Sequence, residues 1–156
     1  MSVRAATAQD LPGIKALLQR CELPTADLEQ AHIAFWVEER DGDVTGVIGL
    51  QRFDAVALLR SLAVDASLRG QGVGAGLVSL LEAEAQAQGV EQLVLLTQTA
   101  QAFFARRGYG VIARDAAPAA VRETEEFRSL CPASAVCMTN DQKSKVGPAR
   151  AGIVRP

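Results

Sequence analysis

Lysine is missing from the whole stretch between Lys15 and Lys143, histidine occurs once, at His32, and cysteine three times, at Cys21, Cys131 and Cys137. Each shortage removes a class of chemistry. A phosphate loop of the Gly-Lys-Ser/Thr type needs a lysine at its end, so that kind of nucleotide site is excluded. Three cysteines without CxxC spacing make neither a disulfide framework nor a zinc site, and all three are expected to pack as small buried hydrophobes. No metal is expected. No apolar run approaches the roughly 20 residues needed to span a bilayer. Met1 to Leu11 carries Arg4 and Asp10 and no apolar core, so no signal peptide is expected and the protein reads as cytoplasmic. Neither charge is in excess: 16 basic against 18 acidic residues leave a formal −2. No overall field draws nucleic acid or an anionic membrane, so any anion must be bound locally.

What the chain does have is enough apolar residue for one core. With 156 residues and 49% hydrophobic content, a single domain over 1–140 is expected. The remaining 141–156 shows no period and is expected to be a flexible tail.

The coarse pattern alternates strands and helices. A strand over Ser2 to Ala5 precedes a helix whose start, Thr7 with Asp10, resembles a capping box and whose Ile14, Leu17, Leu18 and Cys21 follow helical spacing. Pro24 and Thr25 mark the start of a brief second helix. "IAFWVEER" and "VTGVIGLQRF" flank an Asp-Gly turn, a strong hairpin signal, and Val56 to Val64 extends the meander. Val73 to Gln88 has one apolar face and ends at Gly89. "EQLVLLT" is a buried strand, "TAQAFFARRG" a short helix stopped by Gly108, and "YGVIA" a strand. A helical turn near Glu123 to Leu130 and a last strand at "ASAVCM" complete the order. The expected fold is α/β (α+β), a mixed, mostly antiparallel sheet flanked by helices.

The densest signal is "LRSLAVDASLRGQGVGAGL", with glycines at 70, 72, 74 and 76 between a strand and a helix. Exposed N–H groups and the positive end of a helix can hold an anion there. "GQGVGA" matches the dinucleotide pattern GxGxxG/A, but "DASLR" separates it from its strand and Glu91 precedes the next strand instead of ending it. The frame is wrong for a dinucleotide. Arg69-Gly70-Gln71-Gly72-Val73-Gly74 meets a third scheme, Arg/Gln-x-x-Gly-x-Gly/Ala. Glycines let the backbone approach a pyrophosphate that a Cβ would block, and Arg69 adds positive charge. The alternative is a Gly-rich turn with no ligand, but glycines in a helix start cost stability without return.

At these residues the chain resembles the GNAT acetyltransferase superfamily, over roughly Ser2 to Met138. The resemblance implies acetyl-CoA as cosubstrate. Its pyrophosphate would rest on Arg69, Gly70, Gln71, Gly72, Val73, Gly74 and Ala75, and its pantetheine arm and thioester would meet the backbone of Leu62, Ala63 and Val64. "LPTADL" (23–28), "ALLRSLAV" (57–64), "TQTAQAFFARRGY" (97–109) and "EFRSLCPASAVCM" (126–138) are similar to the arsenic-resistance branch of that superfamily. The implied activity is N-acetylation of a small, anionic, amino-acid-like amine, with an arsenical or phosphinic analogue among the candidates and a homodimer as a compatible assembly. A non-catalytic acyl-CoA sensor is the rival reading.

The chemistry departs from the family in two places. Members commonly return a proton from a Tyr in "FY" after the fifth strand, where this chain has Phe103-Phe104, and the Asn often found at Thr97 is also absent. Tyr109 reads as a core aromatic. The general acid and base are therefore unassigned. Glu38 and Glu39 could serve as base through water, but as two acids at a strand end before a turn they are expected to be solvated, and His32 is expected at the surface. Arg60, inside an apolar strand, must face either a protein acid or an anionic substrate. The expectation taken forward is that Arg60, with Ser61, binds the substrate. Cys131 and Cys137 form no evident thiolate cluster for arsenic.

Overall fold

A computed structural model describes residues 3–142. The expected tail lies almost wholly outside them. Seven strands form one mixed sheet in the order β1-β2-β3-β4-β5-β7-β6. They are β1 Val3–Ala5, β2 Ile33–Arg40, β3 Asp43–Phe53, β4 Val56–Val64, β5 Gln92–Thr97, β6 Gly110–Ile112 and β7 Val136–Asp141. The helices are α1 Leu11–Arg20, α2 Val73–Ala87, α3 Gln101–Arg106 and α4 Ala119–Arg122. β4 pairs with β5 in parallel, while β1·β2, β2·β3, β5·β7 and β6·β7 are antiparallel. Among the described residues the chain divides into two compact units, residues 3–51 with 59–84, and residues 52–58 with 85–142.

The first unit is built on the β2–β3 hairpin. Its turn has φ of 53° at Asp41 and 83° at Gly42, the two left-handed residues that match a two-residue turn to the strand twist. A bulge shifts the register between Glu38 and Glu39, so that Glu38 pairs with Gly46 but Glu39 with Val44. α1 covers one face through Ile14, Leu17 and Leu18, which pack with Leu28, Val37, Val47 and Ala63. A short 3-10 turn, Ala8–Asp10, leads into it, and the Thr7 N–H donates to Asp10 Oδ2 at 2.7 Å. This is the capping box expected from sequence.

The expected second helix is corrected: residues 26–30 form turns only. Thr25 O accepts from the Leu28 N–H at 3.3 Å, and Asp27 O from the Gln30 and Ala31 N–H groups at 3.2 and 2.9 Å. These bonds do not extend into a helical ladder.

α2 starts where β3 has no side chain. A Cβ on Gly46 would lie 3.2 Å from Leu77 Cδ1 and from Val73 Cγ1, so glycine at 46 sets how closely the helix approaches the strand.

The second unit packs Leu58, Val94, Ala117, Val121, Phe127 and Cys137 together. The expected helical turn there resolves into α4 and a separate wide turn, Glu126–Leu130. α3 ends at Gly108, φ 95°. The Gly108 N–H donates to Ala105 O at 3.2 Å and the Tyr109 N–H to Phe104 O at 3.0 Å, the pair of bonds that closes a helix around a left-handed residue. That motif brings its flanking apolar residues together, and the Phe104 and Tyr109 rings meet edge-on, centroids 5.3 Å apart.

Among the cysteines only Cys137 is buried; Cys21 and Cys131 are half-buried, which corrects the expectation for those two. Burial pushes the Cys137 thiol up to about 11. Among the described residues no group of three or more metal-ligating side chains comes together, and no helix is long and apolar enough to cross a membrane.

Candidate active site

Strand β4 leaves regular geometry at Ser61, whose φ is 59°. A left-handed residue other than glycine costs roughly 1–2 kcal/mol and persists only where its surroundings fix it. The break resets the two-residue alternation. Arg60 reaches Asp27, and Ala63, three positions on, packs against the α1 side as well, although regular strand geometry would send them to opposite faces. Leu62 and Val64 are half-exposed and Ala63 is buried.

Beyond Val64 the chain is tied down before it reaches the glycines. The Asp65 N–H donates to Thr45 O on β3 at 2.8 Å. The Asp65 carboxylate accepts from the Ser67 N–H at 3.0 Å and the Ser67 hydroxyl at 2.9 Å, and these bonds hold it below its ordinary pKa. Arg20 adds an ion pair at 3.3 Å. The loop thus starts from a fixed point.

Gly70 and Gly72 both have φ of 83°, and a Cβ at either would meet nothing within 4 Å. Backbone conformation, not crowding, demands glycine there, and the space above is open. The Gly76 N–H donates to Gly72 O at 3.0 Å, which makes Gly72 the residue before the helix and leaves the amides of Val73, Gly74 and Ala75 without partners in the helix ladder. No acidic residue lies in the first turn of α2. The free amides and the helix dipole act together on whatever occupies that space.

Gly74 carries a separate signal. Its Cβ would come no nearer than 3.8 Å to Val64 Cγ2, an ordinary contact, and its φ is not left-handed. The fold does not need glycine at 74, although glycine there weakens the helix by about 1 kcal/mol relative to alanine. The arrangement therefore fits a pyrophosphate: open approach, unpartnered amides, no competing carboxylate. Arg69 is exposed, its Nη2 3.7 Å from Cys21 Sγ, and Gln71 is exposed beside it.

Arg60 is the principal correction. Its side chain is fully buried, and its fork is filled by Asp27, Nη1 to Oδ2 and Nη2 to Oδ1 both at 2.7 Å. Nη1 also donates to Gln51 Oε1 at 3.1 Å, and Nε to Ser61 Oγ at 3.3 Å. Of the two partners the sequence allowed, the structure shows a protein acid. The assignment of Arg60 to the substrate falls with it, because a bidentate carboxylate already holds the guanidinium. Ser61, whose hydroxyl faces Arg60, belongs to the same network. Sequence reasoning missed Asp27 and Gln51. The signals available were an acid next to the apolar Leu28 and a glutamine continuing the apolar run that ends at Leu50.

Glu38 is likewise corrected, being fully buried and not solvated. Burial opposes its ionisation, yet hydrogen bonds from the Thr45 hydroxyl and the Arg40 guanidinium, the latter at 2.7 Å, hold its carboxyl below the ordinary value. Glu39 is bound by Arg4 at 2.8 Å. His32 is exposed, as expected. Phe104 and Tyr109 are each 3% exposed and packed on one another, and Thr97 Oγ1 accepts from the Ala100 N–H at 2.9 Å at the start of α3.

A profile of the Acetyltransferase (GNAT) family matches residues 7–109. Solved structures share the fold. The chain superposes on N-acetylglutamate synthase from Neisseria gonorrhoeae, complexed with coenzyme A and N-acetyl-glutamate, with a TM-score of 0.77 and 24% identity, covering 90% of this chain and 35% of that one. It spans about a third of the length of that synthase. Rv2747 from Mycobacterium tuberculosis, in complex with CoA and NLQ, gives 0.73 and 26% identity over 90% of this chain and 99% of that one. An aminoglycoside 6'-N-acetyltransferase complexed with coenzyme A gives 0.68 and 15% identity, over 91% and 97%. The glycine loop, the strand that feeds it and the family profile that spans both agree: the chain belongs to the Acetyltransferase (GNAT) family, a family of transferases.

Proposed function

We propose that the chain is an acetyl-CoA-dependent N-acetyltransferase acting on the amine of a small, amino-acid-like molecule. The observation that carries this reading is the pair of left-handed glycines, Gly70 and Gly72, under open space at the head of α2. In this reading the amides of Gly72 to Ala75 bind the pyrophosphate, Arg69 and Gln71 flank it, and the backbone of Leu62, Ala63 and Val64 orients the arm that ends in the thioester. Acetyl-CoA, when bound, supplies an activated acetyl group. Neighbours of this fold are complexed with coenzyme A, which supports the choice of cosubstrate.

The acceptor is proposed to carry a carboxylate beside its amine. With Arg60 committed to Asp27, this rests on the neighbours alone: one is complexed with N-acetyl-glutamate and is named for its synthesis. An arsenical or phosphinic amino-acid analogue is the specific acceptor proposed from the likeness of "LPTADL", "ALLRSLAV" and the two later segments to the arsenic-resistance branch. At position 104 a buried phenylalanine ring replaces a hydroxyl, so the proton for the departing thiolate comes from water, and positioning carries much of the rate.

That same phenylalanine favours a second reading, an acyl-CoA sensor that binds and does not turn over. Thiol release from acetyl-CoA, measured over a panel of amino acids, an arsenical and a phosphinic analogue, separates the two. Turnover on any of these amines supports the enzyme. Thermal stabilisation by acetyl-CoA with no turnover on any of them supports the sensor and overturns the proposal.

A further inference from the structure

We propose that Asp27 is a positioning residue for acetyl transfer: through its bidentate pair with Arg60 it fixes the left-handed turn at Ser61 and so sets the backbone of Leu62–Val64. This inference rests on the reading of those residues as the thioester site.

Arg60 is bonded on three sides. Two 2.7 Å bonds run to Asp27 in the 22–32 segment, one to Gln51 on β3, and one from Nε to the hydroxyl of Ser61 itself. All four residues lie in one compact unit. Asp27, Gln51 and Arg60 are at most 8% exposed, so water does not compete for the bonds among them and their geometry is sharply defined. Ser61 is the one residue of β4 with positive φ, and it is the one whose side chain Arg60 holds. The peptide planes beyond it, into Leu62 and Val64, inherit their tilt from that dihedral. A fork is needed for this and a charge alone is not, because Asp27 and Ser61 bind different nitrogens of one rigid plane. Asp27 comes from a segment with no regular structure of its own, anchored otherwise by buried Leu28 and an exposed Lys15–Glu29 pair at 3.0 Å. The same pair that shapes β4 therefore also holds that segment down.

Removing one partner alone leaves a buried charge and threatens the fold, so the test uses a double variant. Asp27→Leu with Arg60→Met removes both charges at similar volume, an exchange that buried ion pairs often tolerate without loss of stability. Three quantities are read on the folded double variant and on Arg60→Lys, which keeps the charge and loses the fork. They are amide hydrogen exchange at 61–64, calorimetric affinity for CoA and for acetyl-CoA, and kcat and KM for thiol release.

The expected result is exchange at 61–64 faster by tenfold or more in both variants, with 69–75 unchanged. CoA affinity should stay within about twofold, and kcat should fall at least tenfold with little change in KM for the amine. Unchanged exchange at 61–64 in the double variant overturns the proposal, because the turn would then hold without the pair. So does unchanged kcat alongside faster exchange, which would leave the pair a structural one. If the native protein binds neither CoA nor acetyl-CoA, the thioester-site reading fails first. The exchange data then still decide whether Asp27 fixes the strand.

Discussion

At the scale of single residues, Arg60 and Gly72 show the two ways a sequence signal resolves. A guanidinium inside "ALLRSLAV" announces that it needs a partner, and that much was legible. Which partner was not, because Asp27 lies 33 positions away and nothing local ties the two together. Gly72 is the reverse case: its left-handed backbone and the open space above it are local features, and the proposed pyrophosphate site is built on them. Gly72→Asp is expected to weaken acetyl-CoA binding at least tenfold, about 1.4 kcal/mol, by calorimetry on folded protein. Asparagine tolerates left-handed φ and carries no charge, so Gly72→Asn isolates the electrostatic part and should lose clearly less. Equal affinities for the aspartate variant and the native protein would remove the loop from the site.

At the scale of elements, three helices end in one hydrogen-bond motif, and only two of the ends could be read in advance. Gly89 closes α2 with φ 88° and Gly108 closes α3 with φ 95°. α1 closes the same way around Glu22, φ 60°, with Glu22 N–H bonding Gln19 O and Leu23 N–H bonding Leu18 O. Glycine marks a left-handed position because it adopts one at no steric cost; glutamate is not a recognisable mark. The turns at 26–30 also read as a helix in sequence: Pro24 and Thr25 do start a turn, and Asp27 O accepts from both Gln30 and Ala31, but no further backbone bonds extend it. Gly74 gives the element-scale prediction. Gly74→Ala should raise stability by about 1 kcal/mol in urea titration, since the new methyl finds an ordinary contact and the helix gains propensity, and should weaken acetyl-CoA binding. Gly108→Ala should do the opposite to stability, losing about 1 kcal/mol by forcing a Cβ into φ 95°. A destabilised Gly74→Ala would mean that the fold itself selects that glycine.

At the scale of the molecule, acid stability depends on carboxylates held ionised. Glu38 is lowered from 4.5 and Asp65 from 3.8, and the Arg4 guanidinium holds Asp10 far below its ordinary 3.8. A carboxyl whose folded value lies below its unfolded value contributes its full stabilisation above the unfolded pKa and loses it as pH falls through the folded one. Unfolding free energy from denaturant titration should therefore hold level from pH 7 to about 5 and decline below 4.5. Cys137 acts on the alkaline side: raised from 9.0 to about 11, its thiol favours the folded state up to pH 9, and that contribution is lost between 9 and 11. A rise in stability on acidification below 4.5 would contradict the buried, hydrogen-bonded state of Glu38.

β4 runs through both compact units, Val56–Leu58 in one and Leu59–Val64 in the other, and this bears on synthesis. The first unit has all its residues once Glu84 has been made, but the partner of Val56–Leu58 is β5, beginning at Gln92 and about 36 positions later than Val56. From Glu84 to Gln92 is eight positions, at 5–20 residues per second a wait of roughly 0.4–1.6 s, during which one end of a strand is folded and the other stands open. Ala57 and Leu58, buried in the finished protein, spend that interval as a bare apolar edge. A ribosome pause between Glu84 and Gln92 would lengthen the exposure directly. Slow codons there should lower the yield of native protein, whereas the same codons after Asp141, where β5 and β7 have both been made, should not.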